Sequence, residues 1–353
     1  NGFTRDRKHL VSSGDDRTTR LWELSTEQLT EFPIHHSSIK NVSFTSDDRH
    51  LVTFNSDGSA SLLNWQDRQL KALLNPNSPV DNMSFSRDNR VMATSTTDGL
   101  ITIWDLQTKK QINSFQELNK QIDKIILSPD GKLLAIGDRN GIIKIKYISN
   151  GRLLAGFKNS NDMINDLNFS FDNKLFASAG EDGIVNIWDL GNRKKMHAFQ
   201  EHIGEVYKIN FSRYGQQLVS AGQDKTIRVW DIKKGRSISI FQVYDREITS
   251  VKFSPDNKKI VSGVSSGYIQ LWDLQQNQQT AKWKAHRNTI NSLDLSSNGK
   301  LLATVGNEGT VKLWQIESFD GLMAIGCKGM RNYLENNEYL SSIDPDLCQK
   351  LLE

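Results

Sequence analysis

The sequence predicts an all-β chain built from one repeated four-stranded antiparallel unit, and three observations carry that prediction. The first is a period. Trp188, Trp230, Trp272 and Trp314 stand 42 residues apart, Trp104 lies 84 before Trp188, and Trp22 lies 82 before Trp104. Each long gap hides one slot without its Trp, at Leu63 and at Lys146, so eight marks recur at 41 or 42 residues. The second is the polar residue directly after the mark: Trp-Asp at 104–105, 188–189, 230–231 and 272–273, with Trp-Glu at 22–23 and Trp-Gln at 314–315. The third is period-two alternation between the marks, the signature of half-buried strands.

One repeat justifies the elements in order. Val206-Tyr-Lys-Ile-Asn-Phe211 alternates and reads as a first strand, and Arg213-Tyr-Gly215 turns the chain. Gln217-Leu-Val-Ser-Ala221 is the second strand and Gly222-Gln-Asp-Lys225 a tight turn. Thr226-Ile-Arg-Val-Trp-Asp231 is the third, Lys233-Lys-Gly235 turns again, and Ser237-Ile-Ser-Ile-Phe241 is the fourth. Strands joined by Gly, Asn and Asp turns are hairpins in series. No repeat has room for a crossover helix, so the sheets are antiparallel. One such sheet cannot bury both of its faces; several packed face to face around an axis can, and about 40–45 residues per repeat is the length of a propeller blade.

Closure of the ring rests on the two incomplete repeats. The first has only Asn1-Gly-Phe3 for an opening strand, and the last has no fourth strand after Trp314-Gln-Ile316. An open ring would expose strand edges. Glu27-Gln-Leu-Thr-Glu-Phe32 supplies the missing strand if it pairs with the last blade. Repeats two to eight then make seven closed blades over residues 25–316, and residues 1–24 are the remnant of an earlier blade. Eight blades with an imperfect first one is the alternative.

The marks resemble those of the WD-repeat family. That family's signature is a His, a Ser or Thr, an Asp in a tight turn and the Trp, hydrogen-bonded in series inside a blade. The resemblance places complete sets at His202, Ser220, Asp224 and Trp230 in repeat six, and at His286, Thr304, Glu308 and Trp314 in repeat eight, with Glu for Asp. Partial sets are His35, Thr53 and Asp57 in repeat two, with Leu63 in the Trp slot; Thr94, Asp98 and Trp104 in repeat three, with Pro76 in the His slot; and Ser178, Asp182 and Trp188 in repeat five, with Ser160 for His. Repeat seven keeps Ser262 and Trp272, with Tyr244 and Ser266 for His and Asp; repeat four is degenerate, with Leu118, Ile136, Asn140 and Lys146. An indole N–H, a hydroxyl, an imidazole and a carboxylate can satisfy one another in series. The expected role of these residues is therefore structural.

Residues 317–353 break the pattern. Phe319, Leu322, Met323, Met330 and Leu334 fall near helical spacing, and a short helix is expected from Pro345. Gly326-Cys-Lys-Gly-Met-Arg-Asn-Tyr-Leu334, with Cys348 further on, resembles a tail found after WD repeats in large bacterial signalling ATPases, although Gly329 stands where that tail carries a Trp. The likeness implies a nucleotide-switch domain upstream, outside this chain. The opening Asn1, in place of an initiator Met, fits a piece of a longer protein.

Composition and motifs remove most other functions. With 44 Lys+Arg against 41 Asp+Glu the net charge is +3 over 353 residues, so no general attraction to nucleic acid or an anionic membrane is expected. Two cysteines exclude a disulfide scaffold and cannot by themselves complete a zinc site; Cys327 and Cys348 read as two buried thiols, with a disulfide or a metal pair as the alternatives. No Gly-x-x-x-x-Gly-Lys-Ser/Thr occurs, so nucleotide would bind only through an upstream domain absent from this chain. Gly263-Val-Ser-Ser-Gly267 matches a nucleophile elbow by letter, but a strand comes next where an elbow needs a helix. Arg193-Lys-Lys195 reads as a solvated turn.

What remains is a ring with a broad face and no expected cofactor, metal or catalytic residue. By analogy with the WD-repeat family, partner proteins dock near the Asp-slot turns. Glu181, Gln223 and Asn307, just before that slot, are candidates, as are Met163, Glu205, Glu247 and Thr289, which open first strands. The expected function is a cytoplasmic, non-catalytic protein-interaction propeller, the C-terminal sensor or scaffold part of a larger bacterial signalling NTPase. A free-standing scaffold joining two proteins is the alternative, and a propeller enzyme the third reading.

Overall fold

The computed structural model describes residues 38–316 apart from 75–79, 89, 109, 118–121 and 161, together with the backbone of four strands between residues 2 and 33. Within these residues the chain forms seven four-stranded antiparallel sheets and one three-stranded sheet, Gly2–Phe3, His9–Ser13 and Thr19–Glu23. The seven sheets are the blades of a propeller, numbered two to eight after the repeats that supply their first three strands. Six are simple meanders. Blade six, for example, runs Val206–Phe211, Gln217–Gly222, Thr226–Asp231 and Arg236–Gln242.

Blade eight closes the ring. Its own strands Ile290–Leu295, Leu301–Gly306 and Thr310–Gln315 take Gln28–Pro33 as the fourth, antiparallel to Thr310–Gln315 with Val311 opposite Phe32. The two ends of the ring are thereby stitched into one sheet, which closes it. Seven blades, not eight, make the ring. Helices predicted for the tail, and Cys327 and Cys348, lie outside the described residues.

First strands pack beside one another around the axis. Side chains on them reach the next blade's backbone: Asp166 accepts from Ile209 N at 3.0 Å, Asn168 from Phe211 N at 3.1 Å, and Asn210 from Phe253 N at 3.2 Å. Across the closure, Asp294 accepts from Phe44 N at 2.8 Å. Apolar cores lie between blades rather than within them. One joins Ala177, Ile187 and Phe199 of blade five to Val206, Phe211, Leu218 and Trp230 of blade six. Another joins Val305 and Leu313 of blade eight to Ile39, Leu51 and Leu63 of blade two. Leu63, lacking an indole, still fills this core at the Trp slot.

The turn after each second strand needs a left-handed residue. Glycine supplies it in six blades, from Gly58 at φ 82° to Gly309 at φ 72°, and Lys225 at φ 59° in blade six. Gly267 takes this position in blade seven at φ 80°, between the strands Lys259–Val264 and Tyr268–Asp273, so the motif Gly263–Gly267 is a strand end and a hairpin turn and not a nucleophile elbow.

Candidate functional site

In blade six the four signature side chains form one chain. Trp230 Nε1 donates to Ser220 Oγ at 2.8 Å, Ser220 Oγ lies 2.6 Å from His202 Nε2, and His202 Nδ1 lies 3.0 and 3.1 Å from the two Asp224 oxygens. The indole can only donate, so Ser220 gives its one hydrogen to Nε2, and Nδ1–H faces the carboxylate. Trp230 is fully buried and stacks on Phe199 of the preceding blade, centroids 4.5 Å apart. Burial alone would push the Asp224 carboxyl up, but the hydrogen bond and charge of His202, with donors from Thr226, hold it well below the usual carboxylate range.

Blade eight repeats the chain with a longer acid. Trp314 Nε1 donates to Thr304 Oγ1 at 2.9 Å, His286 Nε2 lies 2.8 Å from that hydroxyl, and His286 Nδ1 lies 2.6 Å from Glu308 Oε1. Burial pushes the His286 imidazole down, and the neighbouring Glu308 offsets this only in part.

These acids also position loops. Asp224 accepts from Ile203 N at 3.2 Å and Thr226 N at 3.0 Å, fixing the loop that enters the blade and the turn beneath it. Glu308 accepts from Arg287 N at 3.3 Å in the same way. The candidate partner residues sit on this scaffold in pairs. Glu181 N donates to Met163 O at 3.1 Å, Gln223 N to Glu205 O at 2.8 Å, and Asn307 N to Thr289 O at 3.4 Å; Glu247 O accepts from Ser265 N at 2.9 Å. All seven therefore lie at one mouth of the ring, where first strands begin. Glu181, Gln223, Glu247 and Asn307 are exposed, and Met163, Glu205 and Thr289 half-buried. Two apolar side chains stand among them: Ile203 is 80% exposed and Tyr244 93%. Burial, then the Glu205 and Glu247 carboxylates, push the Tyr207 phenol up.

Other blades keep the hydroxyl–indole pair and change its partner. In blade five, Trp188 Nε1 donates to Ser178 Oγ at 2.9 Å, but Asn159, not Ser160, stands in place of the imidazole. Its Oδ1 accepts from Ser178 Oγ at 2.5 Å and Asn186 Nδ2 at 2.8 Å, and its Nδ2 lies 3.5 Å from Asp182. A serine is too short to span an imidazole's gap; the amide one residue earlier offers both an acceptor and a donor. Burial pushes the Asp182 carboxyl up. In blade seven, Tyr244 does not replace His: its phenol points to solvent. Gln270 instead bridges Ser262 at 3.4 Å and Asp245 at 2.9 Å, and Asp245 pairs with Lys282 at 2.6 Å. Blade three keeps Trp104 Nε1 on Thr94 Oγ1 at 3.2 Å, while Asp98 bonds Thr96.

Blades two and four depart furthest. In blade two Asp57 caps its own turn, accepting from Ser59 N at 2.9 Å, and buried Thr53 Oγ1 finds no partner among the described residues. The slot residues His35, Pro76 and Leu118 lie outside the described residues. In blade four Lys146, in the Trp slot, bonds Glu117, which also takes Lys144 Nζ at 2.7 Å. Glu117 is only 4% exposed, so a buried ion cluster replaces the hydroxyl–imidazole–carboxylate chain.

The tetrad reading missed a fifth position. Lys144, Asn186, Arg228 and Gln270 stand 42 residues apart on third strands, and each joins its blade's polar network, Arg228 through Glu201 at 2.6 Å. The same 42-residue count from Glu181 finds Arg139, which pairs with Asp123 at 3.1 Å on the candidate mouth.

Comparison with known families gives two matches. A family described as Nucleolar protein 10-like, N-terminal domain, a β-propeller, matches residues 123–335. The WD domain, G-beta repeat, matches residues 2–23 and 68–105. No curated protein matches the chain. WD propellers are generally non-catalytic scaffolds that bind protein partners.

Proposed function

The chain belongs to the nucleolar protein 10-like N-terminal β-propeller family, and on that premise we propose that it is a non-catalytic platform for a protein partner. Its working surface is the mouth where first strands begin. The observation that carries the reading is the pairing of buried networks with exposed candidates. Asp224 and Glu308 fix entry loops by their backbone, and on those frames sit Glu205, Gln223, Thr289 and Asn307. A rigid frame lowers the entropy lost when a partner docks. Exposed Ile203 and Tyr244 beside Glu205 and Glu247 suit a partner that offers an apolar anchor flanked by basic side chains.

The test compares capture of host proteins by the chain and by a triple variant, Glu181→Lys, Glu205→Lys and Glu247→Lys. The expected result is loss of the captured partner by at least about tenfold, with the ring intact by circular dichroism. Undiminished capture overturns the choice of face. A broad hydrolase screen of the purified chain is expected to be silent, and turnover there overturns the non-catalytic half.

The finer setting is the C-terminal sensor part of a larger bacterial signalling NTPase, resident in the cytoplasm. It is supported only by the likeness of residues 326–348 to such tails, which lie outside the described residues. The matched family lends it nothing, since its description names a nucleolar protein. Reading the coding region upstream of Asn1 decides the point. A Gly-x-x-x-x-Gly-Lys-Ser/Thr loop supports the sensor setting; further repeats alone leave a free-standing scaffold joining two proteins.

A further inference from the structure

The opposite mouth, where first strands end, carries a different chemistry. A cavity of about 270 Å³ lies there, lined by residues of blades two, three, five, six, seven and eight. A space bordered by six of seven blades in a ring can only lie on the axis, so this is the end of the central channel. We propose that it is a binding site for a compact polyanion carrying phosphate-type groups, held by Arg87 and Arg213.

Geometry and charge accounting support the assignment. Both arginines stand on loops tied to a neighbouring blade: Arg87 N donates to Pro129 O at 3.2 Å and Arg213 N to Asn257 Oδ1 at 2.8 Å. Arg87 packs its guanidinium over Phe171, 4.5 Å from the ring centroid, which holds the fork in place and leaves its N–H edges for a ligand. Neither guanidinium has a carboxylate within ion-pair distance among the described residues. The mouth's acids are already engaged. Asp294 takes Lys252 Nζ at 2.5 Å, and Asp48 accepts from Ser297 N at 2.8 and 2.9 Å.

On neighbouring first strands, Asp166 has Lys124 at 3.5 Å and Lys208 at 4.0 Å on one oxygen, so two lysines share one acid. The Lys208 ammonium is pushed down to about 8, first by the charge of Lys124, with Asp166 opposing and burial adding. Burial, then the charge of Arg213, holds Arg87 below its usual range. Like charges facing one another across a concave space destabilise the empty site, and an anion placed between them relieves this. Guanidinium forks match phosphate oxygens in pairs. The volume admits a short polyphosphate and is too small for a nucleic-acid duplex.

The test is calorimetric titration of the whole chain with sodium tripolyphosphate, with ATP and with sulfate. Tripolyphosphate is expected to bind with one-site stoichiometry and at least about tenfold more tightly than sulfate. ATP bound more tightly than tripolyphosphate would identify a nucleotide as the source of the phosphates; ATP bound more weakly would identify free polyphosphate. The double variant Arg87→Gln, Arg213→Gln is expected to weaken binding at least about tenfold, and Lys158→Gln, an exposed lysine on the outer strand of blade four, to leave it unchanged. In the unmodified chain, tripolyphosphate is expected to protect Arg87 and Arg213 from phenylglyoxal, a readout independent of any variant's folding. No binding at about 1 mM ligand, binding equal to that of sulfate, or unprotected arginines would each overturn the proposal.

Discussion

Blades six and four solve one problem with opposite chemistry. In blade six a buried indole, hydroxyl, imidazole and carboxylate hand hydrogens along a line, with a single acid at its exposed end. Blade four has Ile136 in the hydroxyl slot and Lys146 in the indole slot, and a buried Glu117 takes both Lys144 and Lys146. The backbone frame is the same, so the fold does not require the tetrad. It requires that whatever polar atoms enter the blade be paired there, because an unpaired buried group costs about 1–3 kcal/mol. The blade-six chain carries one charge, at its acid, and gains from stacking and shape; the cluster gains from charge but bears the desolvation of three ions.

Substitutions can break that equivalence. The largest effect is expected for Trp230→Ala, which empties the core shared with Phe199 and strands the Ser220 hydroxyl; denaturant unfolding should show a loss of about 3–5 kcal/mol. Next is Glu117→Ala, which leaves two lysines without their acid. A buried pair broken this way costs about 3–5 kcal/mol; about 2 is expected here, because Lys144 is a third exposed and water screens it. If Glu117→Ala proves harmless, the cluster is not a substitute for the tetrad.

Acid sharpens the contrast. His286 titrates below its ordinary 6.5 in the fold, so the unfolded chain binds its proton first; that contribution is complete above pH 6.5 and declines as pH falls below it. Glu117, raised by burial but lowered further by Lys144 and Lys146, and Asp224 both titrate below their ordinary values, 4.5 and 3.8. Their stability is present above those values and is lost as pH falls through the lowered ones. Stability measured against pH should therefore fall in two stages. His286→Gln should flatten the first and Glu117→Gln part of the second, and a parental first stage surviving in His286→Gln would refute the assignment.

Smaller still is a pair of identical changes. Thr304→Val removes a hydroxyl that Trp314 and His286 both use and should cost about 1–3 kcal/mol. Thr53→Val removes one with no partner among the described residues and should raise stability by about 1 kcal/mol. The smallest effect expected is a gain. Lys225→Gly relieves a left-handed lysine where six blades use glycine, and should raise stability by at most about 1 kcal/mol.

The sequence alone determined the repeat and the strand order within a blade, because both are written in local patterns: a 42-residue period, two-residue alternation and turn glycines. It offered closure by residues 27–32 beside an eight-bladed alternative, and the pairing of Gln28–Pro33 with Thr310–Gln315 decided for seven. It also located the polar chains of blades six and eight, whose residue types are diagnostic in themselves. Asn159, Asp245 and Glu117 were not legible, since each acts from a neighbouring or unrelated slot, and an amide or carboxylate in sequence does not reveal which hydroxyl, amide or ammonium it will meet. Nor was the contrast between the ring's two mouths. Arg87, Arg213 and Lys252 lie up to 165 residues apart in sequence and share a cavity only because seven blades close around one axis. Local propensity specifies the blade, whereas the charge along the channel exists only after the ring has formed.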